Sequence, residues 1–475
     1  MKTGIALRHV RTAVSFALAL SMLGATPRPV RDPDHLIVLS TTDVKGKTSP
    51  CGCHTPKGGL ARRAAFVDSV RAEHDQVVLV DAGGFFPETD SQRDAGPFVM
   101  QTMNAIGTAA SNVGDKELRF GYAFLREAVR ESGLPVVSAN LYDRRTGRLA
   151  FAPYVIVPAG RARVGVFGLM SGSADLGPAR DSLRVEDAET AAVRTVAELK
   201  KKGATVIVLL SQLGKVESED LVNAVEGIDA AITGRNVPML QRGRVIKNTV
   251  VCYGGEQGWY IGRTSLALDA AGRSLSGEND MIMLGPEVEA KPAVFDVVKA
   301  FEDALNDRLR RLEKERAAAA ALTAEDSDGD AVDHYVGAEV CGRCHKAEYD
   351  QWRTTPHARA WQTLVDEKKD ATPECVRCHV VGYQKPGGFR TADDASRLGN
   401  VQCENCHGVG TQHEAYAATK AQVPEPVCRG CHDATTSPVF QFALYRPHIL
   451  HQAPANMPAL PPNPAKAKMK GAGTH

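Results

Sequence analysis

The stretch Cys341-Gly342-Arg343-Cys344-His345 is the first of four copies of one pattern that decides how the C-terminal part of the chain must fold. The others are Cys375-Val376-Arg377-Cys378-His379, Cys403-Glu404-Asn405-Cys406-His407 and Cys428-Arg429-Gly430-Cys431-His432. Thiols three positions apart lie about one helical turn from each other. Both can therefore form thioethers to the vinyl groups of one haem, and the next residue brings an imidazole under the iron. Zinc held by the same cysteine pairs is the alternative, but it gives no reason for a histidine after every second cysteine. The spacing predicts four covalent haems c, with His345, His379, His407 and His432 as proximal iron ligands. Four macrocycles in about 115 residues leave little room for an ordinary apolar core, so the haems would themselves be core material.

Each iron has a second axial position, and the surrounding segment is rich in histidine. His334, His357, His413, His448 and His451 all lie outside the four motifs. In a haem-dense segment such residues read as distal ligands. His357 and His413 are the first candidates, while His448 and His451 compete for one further place. Two imidazoles close an iron and suit electron transfer; an open position permits small-molecule chemistry.

The rest of the chain of 475 residues is different in kind. Lys plus Arg number 57 and Asp plus Glu 56, a formal net charge of +1 that gives no electrostatic reason to expect nucleic acid as a partner. Hydrophobic residues make up 43% and charged residues 24%, as in folded globular proteins. Residues 1–25 read as an export signal: Lys2, Arg8 and Arg11 precede an apolar run from Thr12 to Ala25 that is short for a membrane span. A short N-terminal anchor is the alternative. No other segment is long and apolar enough to span a bilayer, so the mature chain is expected to be exported, periplasmic and without a membrane span.

From residue 35 to about 290, β-branched runs alternate with helical patterns. Strands are expected at His35–Thr41, Gln76–Asp81, Pro135–Ala139, Val164–Leu169, Ala204–Ser211 and Asp229–Thr233, then in longer runs near Arg244–Cys252 and Trp259–Leu268. Helices are expected at Gly59–His74, Tyr122–Ser132 and Asp187–Lys202. This rhythm predicts an α/β layered sandwich. Residues 291–334 read as a charged, then Ala-rich, helix followed by an acidic linker. A small, mainly α, haem-packed domain is expected over 335–451, and a tail rich in Pro, Ala and Lys over 452–475.

Two family resemblances attach to these segments. Trp352-Arg353-Thr354-Thr355-Pro356-His357-Ala358, Gly382-Tyr383 with Gly387-Gly388-Phe389, and Gln402-Cys403-Glu404-Asn405-Cys406-His407-Gly408 with His413 resemble the tetrahaem cytochromes associated with nitrification, the cytochrome c-554-like family. The resemblance implies closely stacked haems that pass single electrons, with His357 and His413 as distal ligands. It also implies that one haem can lack a distal protein ligand.

In the N-terminal part, Ser40-Thr41-Thr42-Asp43, Gly58-Gly59-Leu60-Ala61-Arg62-Arg63, Val80-Asp81-Ala82-Gly83, Gly114-Asp115-Lys116-Glu117, Ser211-Gln212-Leu213-Gly214 and Thr233-Gly234-Arg235-Asn236 resemble, in order, the motifs of periplasmic 5′-nucleotidases. That implies the metallophosphoesterase fold. The departures fall on the metal ligands. The family's Asp-x-His reads Asp43-Val44-Lys45, the Asp closing its Asp-Ala-Gly-Asp is Gly84, and its Gly-Asn-His-Glu reads Gly114-Asp115-Lys116-Glu117. Gln212 stands at a histidine position, and Gly-His-x-His reads Gly234-Arg235-Asn236-Val237. Asp43 and Asp115 are the residual oxygen donors, while Lys45, Lys116 and Arg235 bring positive charge. No dimetal centre is expected of such a set, and Asp81 and Glu117 read as fold residues.

One further cluster stands apart. Cys51-Gly52-Cys53-His54 follows the first strand, and Cys252 ends a late one. Cys51, Cys53, His54 and Cys252 could bind a soft metal or form a thiol redox site, or else represent one disulfide and a buried thiol. The expected function is single-electron transfer through four haems with periplasmic or membrane redox partner proteins, the N-terminal domain serving as docking, ligand-binding or thiol module. Two alternatives remain: an oxidoreductase acting on a small nitrogen or sulfur compound at an open haem or at the Cys-x-Cys site, and a metal-dependent phosphoesterase with an appended cytochrome.

Overall fold

His35–Thr41 is buried at every position after the first, as a run without apolar–polar alternation must be when both faces of its sheet are covered. It is β1 of fourteen strands in the computed structural model, which describes residues 34–51, 56–323, 334–411, 413, 423–433, 437 and 439–451. The expected export signal, Cys53, His54, the acidic stretch after the long helix and the tail lie outside the described residues.

The remaining strands are β2 (Val77–Asp81), β3 (Thr108–Asn112), β4 (Val136–Val137), β5 (Leu141–Asp143), β6 (Tyr154–Ala159), β7 (Ala162–Met170), β8 (Leu183–Val185), β9 (Val206–Gln212), β10 (Ala230–Thr233), β11 (Arg244–Ile246), β12 (Thr249–Tyr253), β13 (Tyr260–Leu268) and β14 (Ser274–Met283). Two six-stranded sheets result, ordered β14-β13-β1-β2-β3-β4 and β11-β12-β10-β9-β7-β6. Their central strands run parallel, and antiparallel strands close the edges formed by β14, β11 and β6. Leu36, Val38 and Val80 of one sheet pack against Val166, Val208 and Leu210 of the other. Helices such as Leu60–Glu73 and Ala188–Lys201 cover the outer faces. The architecture is the expected α/β layered sandwich.

Several elements escaped the sequence pattern. β3 is Thr-Ala-Ala-Ser-Asn, with Thr108 its single β-branched residue, and it persists because β2 and β4 pair on either side. β14 is rich in Ser, Gly, Asn and acidic residues because it lies at an edge, where its long pairing with β13 supplies the order. The expected run Arg244–Cys252 is instead a hairpin of β11 and β12.

The helix Pro292–Thr323 links the two parts. Val298 enters the core of the first part and Phe301 stacks on Phe98 with ring centres 4.0 Å apart. Further along, Asn306 and Arg310 grip Asp370 of the second part, Arg310 through Nε at 3.0 Å and its terminal nitrogen at 2.6 and 2.7 Å. Beyond it the chain forms short helices around a small core of Tyr335, Leu364, Val376, Val380, Val381, Phe389 and Leu398.

Candidate haem sites and the remnant phosphoesterase pocket

Each Cys-x-x-Cys-His motif rides on a short helix: Ala338–Gly342, Pro373–His379, Cys403–His407 and Glu425–Arg429 carry the four first cysteines. Helical hydrogen bonds from the His345 and His432 amides to the Cys341 and Cys428 carbonyls, both 2.9 Å, continue the turn through the histidine. None of these eight cysteines is in a disulfide, as thioether attachment requires. The motifs also abut in pairs. The Cys341 and Cys403 thiols hydrogen-bond to each other, as do those of Cys378 and Cys431.

Three motif histidines face a second imidazole. His345 and His413 have ring centres 5.9 Å apart, His407 and His451 6.1 Å, and His357 and His432 6.1 Å. An imidazole nitrogen binds a first-row metal at about 2 Å, so rings on opposite sides of one metal have centres about 6 Å apart. The rings are thus spaced to hold an iron between them. Burial lowers the pKa of His357 and of His432, which keeps both in the neutral form that ligates.

His379 differs. Its Nδ1–H donates to the Ala360 carbonyl at 2.5 Å, an arrangement in which Nε2 is the nitrogen that could hold a metal. Among the described residues it faces no second imidazole. It lines a cavity of about 930 Å³ together with Cys375, Cys378 and His448, and the same cavity takes in the His357–His432 pair with Cys428 and Cys431 of the fourth motif. Its lining also includes Lys47, Thr48, Ser49, Cys51 and Trp259 of the first part. His451, rather than His448, takes the place opposite His407.

Residues between the ligands hold the segment together. The Glu404 carboxylate accepts the amides of Val336, Gly337 and Gly410, Asn405 donates to the Val380 carbonyl at 2.9 Å, and Trp352 Nε1 donates to Val401 at 2.8 Å. Sequence reading gave these positions only as parts of a motif.

The ends of β1, β2, β3, β9 and β10 gather the remnant phosphoesterase positions into one crevice. Asp43, at φ 51°, is buried, and its carboxylate accepts from Thr42 Oγ1 at 2.8 Å and the Arg235 amide at 3.0 Å. Burial pushes its pKa up to about 6. Lys45 pairs with Glu256 at 2.8 Å and Lys116 with Glu88 at 2.8 Å. Glu256 and Glu88 were not singled out in the sequence; a lysine at a metal ligand's position was the available signal, since a confined ammonium needs a counter-charge. Asp115 begins the short helix Asp115–Leu118. Glu117 accepts four backbone amides, from Gly84, Phe85, Phe86 and Gly114, and Asp81 accepts from Thr41, Gly83 and Ser111.

These residues do not fit a dinuclear metal centre. A Cβ at Gly84 would lie 2.4 Å from Asp43 Oδ1, and one at Gly234 would lie 2.1 Å from Thr42 Oγ1. The Asp43 carboxylate therefore crowds the position where a bridging carboxylate would attach, and the family's two imidazole positions are held by Arg235 and Val237. Among the described residues, no three His, Cys, Asp or Glu side chains gather as a metal ion would need.

Of the two forms open for the cysteine cluster, the single thiol or metal site that would join Cys252 to Cys51 is not the one found. Cys51 is disulfide-bonded, so it is not available as a thiolate ligand in this state. Cys252 is buried between the sheets with its sulfur 3.4 Å from Met281 Sδ and 3.8 Å from Ser40 Oγ, and burial pushes its thiol up to about 11. The structure does not bring Cys252 to Cys51; it is a core residue.

Comparison with known proteins separates the two parts. Residues 340–408 match the family model described as cytochrome c554 and c-prime. Cytochrome c-554 of Nitrosomonas europaea is 35% identical over 91 residues, 16% of this chain and 39% of that protein. A 2′,3′-cyclic-nucleotide 2′-phosphodiesterase/3′-nucleotidase of Yersinia enterocolitica is 28% identical over 234 residues, covering 42% of this chain and 36% of the relative. The crystal structure of a 5′-nucleotidase precursor from Thermus thermophilus superposes with a TM-score of 0.51 at 27% identity, covering 56% of this chain and 58% of that one. The chain thus spans 36% of the Yersinia relative, 54% of a bovine 5′-nucleotidase and 58% of the Thermus thermophilus chain. It joins a 5′-nucleotidase-like metallophosphoesterase fold to a C-terminal segment that matches the cytochrome c554 family model.

Proposed function

We propose that this protein is an exported single-electron carrier that holds four covalent haems c, with its nucleotidase-like domain acting as a docking or ligand-binding module rather than a phosphatase. The observation that carries this reading is the set of three facing imidazole pairs, each beside its own Cys-x-x-Cys-His helix. Cys341/Cys344, Cys375/Cys378, Cys403/Cys406 and Cys428/Cys431 would attach the haems, and each haem would supply a one-electron iron couple. His345 with His413, His407 with His451, and His432 with His357 would hold three irons from both sides. His379 would hold the fourth from one side. The abutting thiols of the first and third motifs, and of the second and fourth, support close spacing within each pair. The basic residues and apolar run within residues 1–25 support export; no helix among the described residues is long and apolar enough to cross a membrane. Redox partners in the periplasm or at a membrane surface would exchange the electrons.

That no imidazole among the described residues faces His379 favours a second reading, in which that iron turns over a small nitrogen or sulfur compound. Iron analysis and electron paramagnetic resonance of the haem-loaded protein test both. About four irons per chain, three low-spin and one high-spin, are expected from the motif count and ring pairing. Two irons or fewer per chain would overturn the carrier reading, and four low-spin signals would remove the second.

A further inference from the structure

The cavity at His379 has walls from both parts of the chain. The second part contributes Cys375, Cys378 and His379; the first contributes the loop after β1, from Gly46 to Cys51, and Gln257 and Trp259 of the loop after β12. The contact is close. Burial pushes the Cys375 thiol up, and the ammonium groups of Lys369 and of Lys47, one from each part, oppose it. Ser91 donates to Glu374, the residue before Cys375, at 2.8 Å.

The two wall loops are tied to each other and to the linking helix. Lys45 in the first bonds Glu256 in the second at 2.8 Å. The Gln257 amide donates to the Asp43 carbonyl at 2.7 Å, and Thr48 Oγ1 donates to Glu302 of the helix at 2.5 Å. Asp43, Lys45, Gly46 and Gln257 all have positive φ, so the loops depend on such ties to hold their shape. Lys45 has only 14% of its side chain exposed and Glu256 about half. Burial opposes the charge of Lys45, but the Glu256 carboxylate outweighs it and raises the lysine above its ordinary range.

We propose that the nucleotidase-like domain forms the outer wall of the haem pocket at Cys375, Cys378 and His379, and that the Lys45–Glu256 pair fixes that wall and so controls access of small ligands to the haem. The remnant catalytic crevice thereby acts on the haem next to it. Lys45 and Glu256 are positioning residues: they act through Lys47–Cys51, Gln257 and Trp259. This inference rests on the haem assignment proposed above.

The test uses the full haem-loaded chain and follows the rate at which cyanide binds the high-spin haem. Lys45→Met and Glu256→Gln should each raise that rate about threefold or more, as loss of a half-exposed ion pair allows. The three low-spin spectra should not change. The double exchange Lys45→Glu with Glu256→Lys should bring the rate back toward that of the unaltered protein. Ser49→Trp, which fills the wall without touching the pair, should slow binding and remains informative if the pair variants fold poorly. A high-spin haem whose cyanide rate is the same in Ser49→Trp and in both single variants overturns the proposal alone. Four low-spin signals in the unaltered protein overturn it together with the open-site reading.

Discussion

His407 and His451 face each other with ring centres 6.1 Å apart and planes only 23° from parallel. Gln351 Oε1 sits 3.3 Å from His451 Nδ1, and as an amide oxygen it can only accept, so it fixes Nε2 as the atom that points toward His407. His448, three positions earlier, lines the cavity at His379 instead.

The first prediction follows from that pairing. His451→Ala should convert one low-spin haem to high-spin, seen by electron paramagnetic resonance. His448→Ala should leave the haem of the third motif low-spin. The reverse result would mean that His448 holds the iron of the third motif and that the ring pairing is incidental.

A second prediction concerns the joint between the two parts. Asp370 is 5% exposed and accepts from Asn306 and from two nitrogens of Arg310. Arg310→Ala would leave that carboxylate with much of its hydrogen bonding gone, at a cost of about 2 kcal/mol because Arg310 itself is partly solvated. Hydrogen exchange should rise in residues 368–379 and stay unchanged in β1, β2 and β9. Equal acceleration everywhere would show that the helix does not act as a local brace.

The outline of both parts was legible in the sequence, since β1 and the helix Tyr122–Ser132 have the expected bounds and the four attachment motifs lie on short helices. Their chemistry is local: an apolar run, a 3.6-residue period, or two thiols and an imidazole within five positions. What stayed hidden is set by long-range packing. The partners of His357 and His407 lie far along the chain, and nothing near Lys45 announces Glu256. Cys252 could not be told from a reactive thiol until its sulfur was seen against Met281 in the core. Polar β3 and edge strand β14 have few of the residues that mark strands because neighbours, not propensity, hold them.

A third prediction addresses the remnant pocket. Prolonged dialysis of the haem-loaded protein against a strong chelator should leave its melting temperature unchanged, because Lys45–Glu256 and Lys116–Glu88 join the loops that a metal would otherwise hold. Addition of Mn²⁺ or Zn²⁺ should give no hydrolysis of p-nitrophenyl phosphate above a denatured control. Metal-dependent cleavage would show that Asp43 and Asp115 suffice as anchors and that the crevice reorganises around an ion.

The last prediction uses pH. Burial raises the Asp43 carboxyl from 3.8 to about 6. The native state therefore holds a proton on it between about pH 4 and pH 6 that the unfolded chain has released, so its contribution to stability falls as pH rises through that window. The full difference is about 3 kcal/mol, from roughly two pKa units at 1.36 kcal/mol each. Asp43→Asn keeps an acceptor for Thr42 and the Arg235 amide, and asparagine tolerates the positive φ at this position. The variant should match the unaltered protein near pH 4 and exceed it in thermal stability at pH 8. A difference of the same size at both pH values would mean that Asp43 is ionised throughout, held by Lys45 and the Arg235 amide more strongly than its burial opposes.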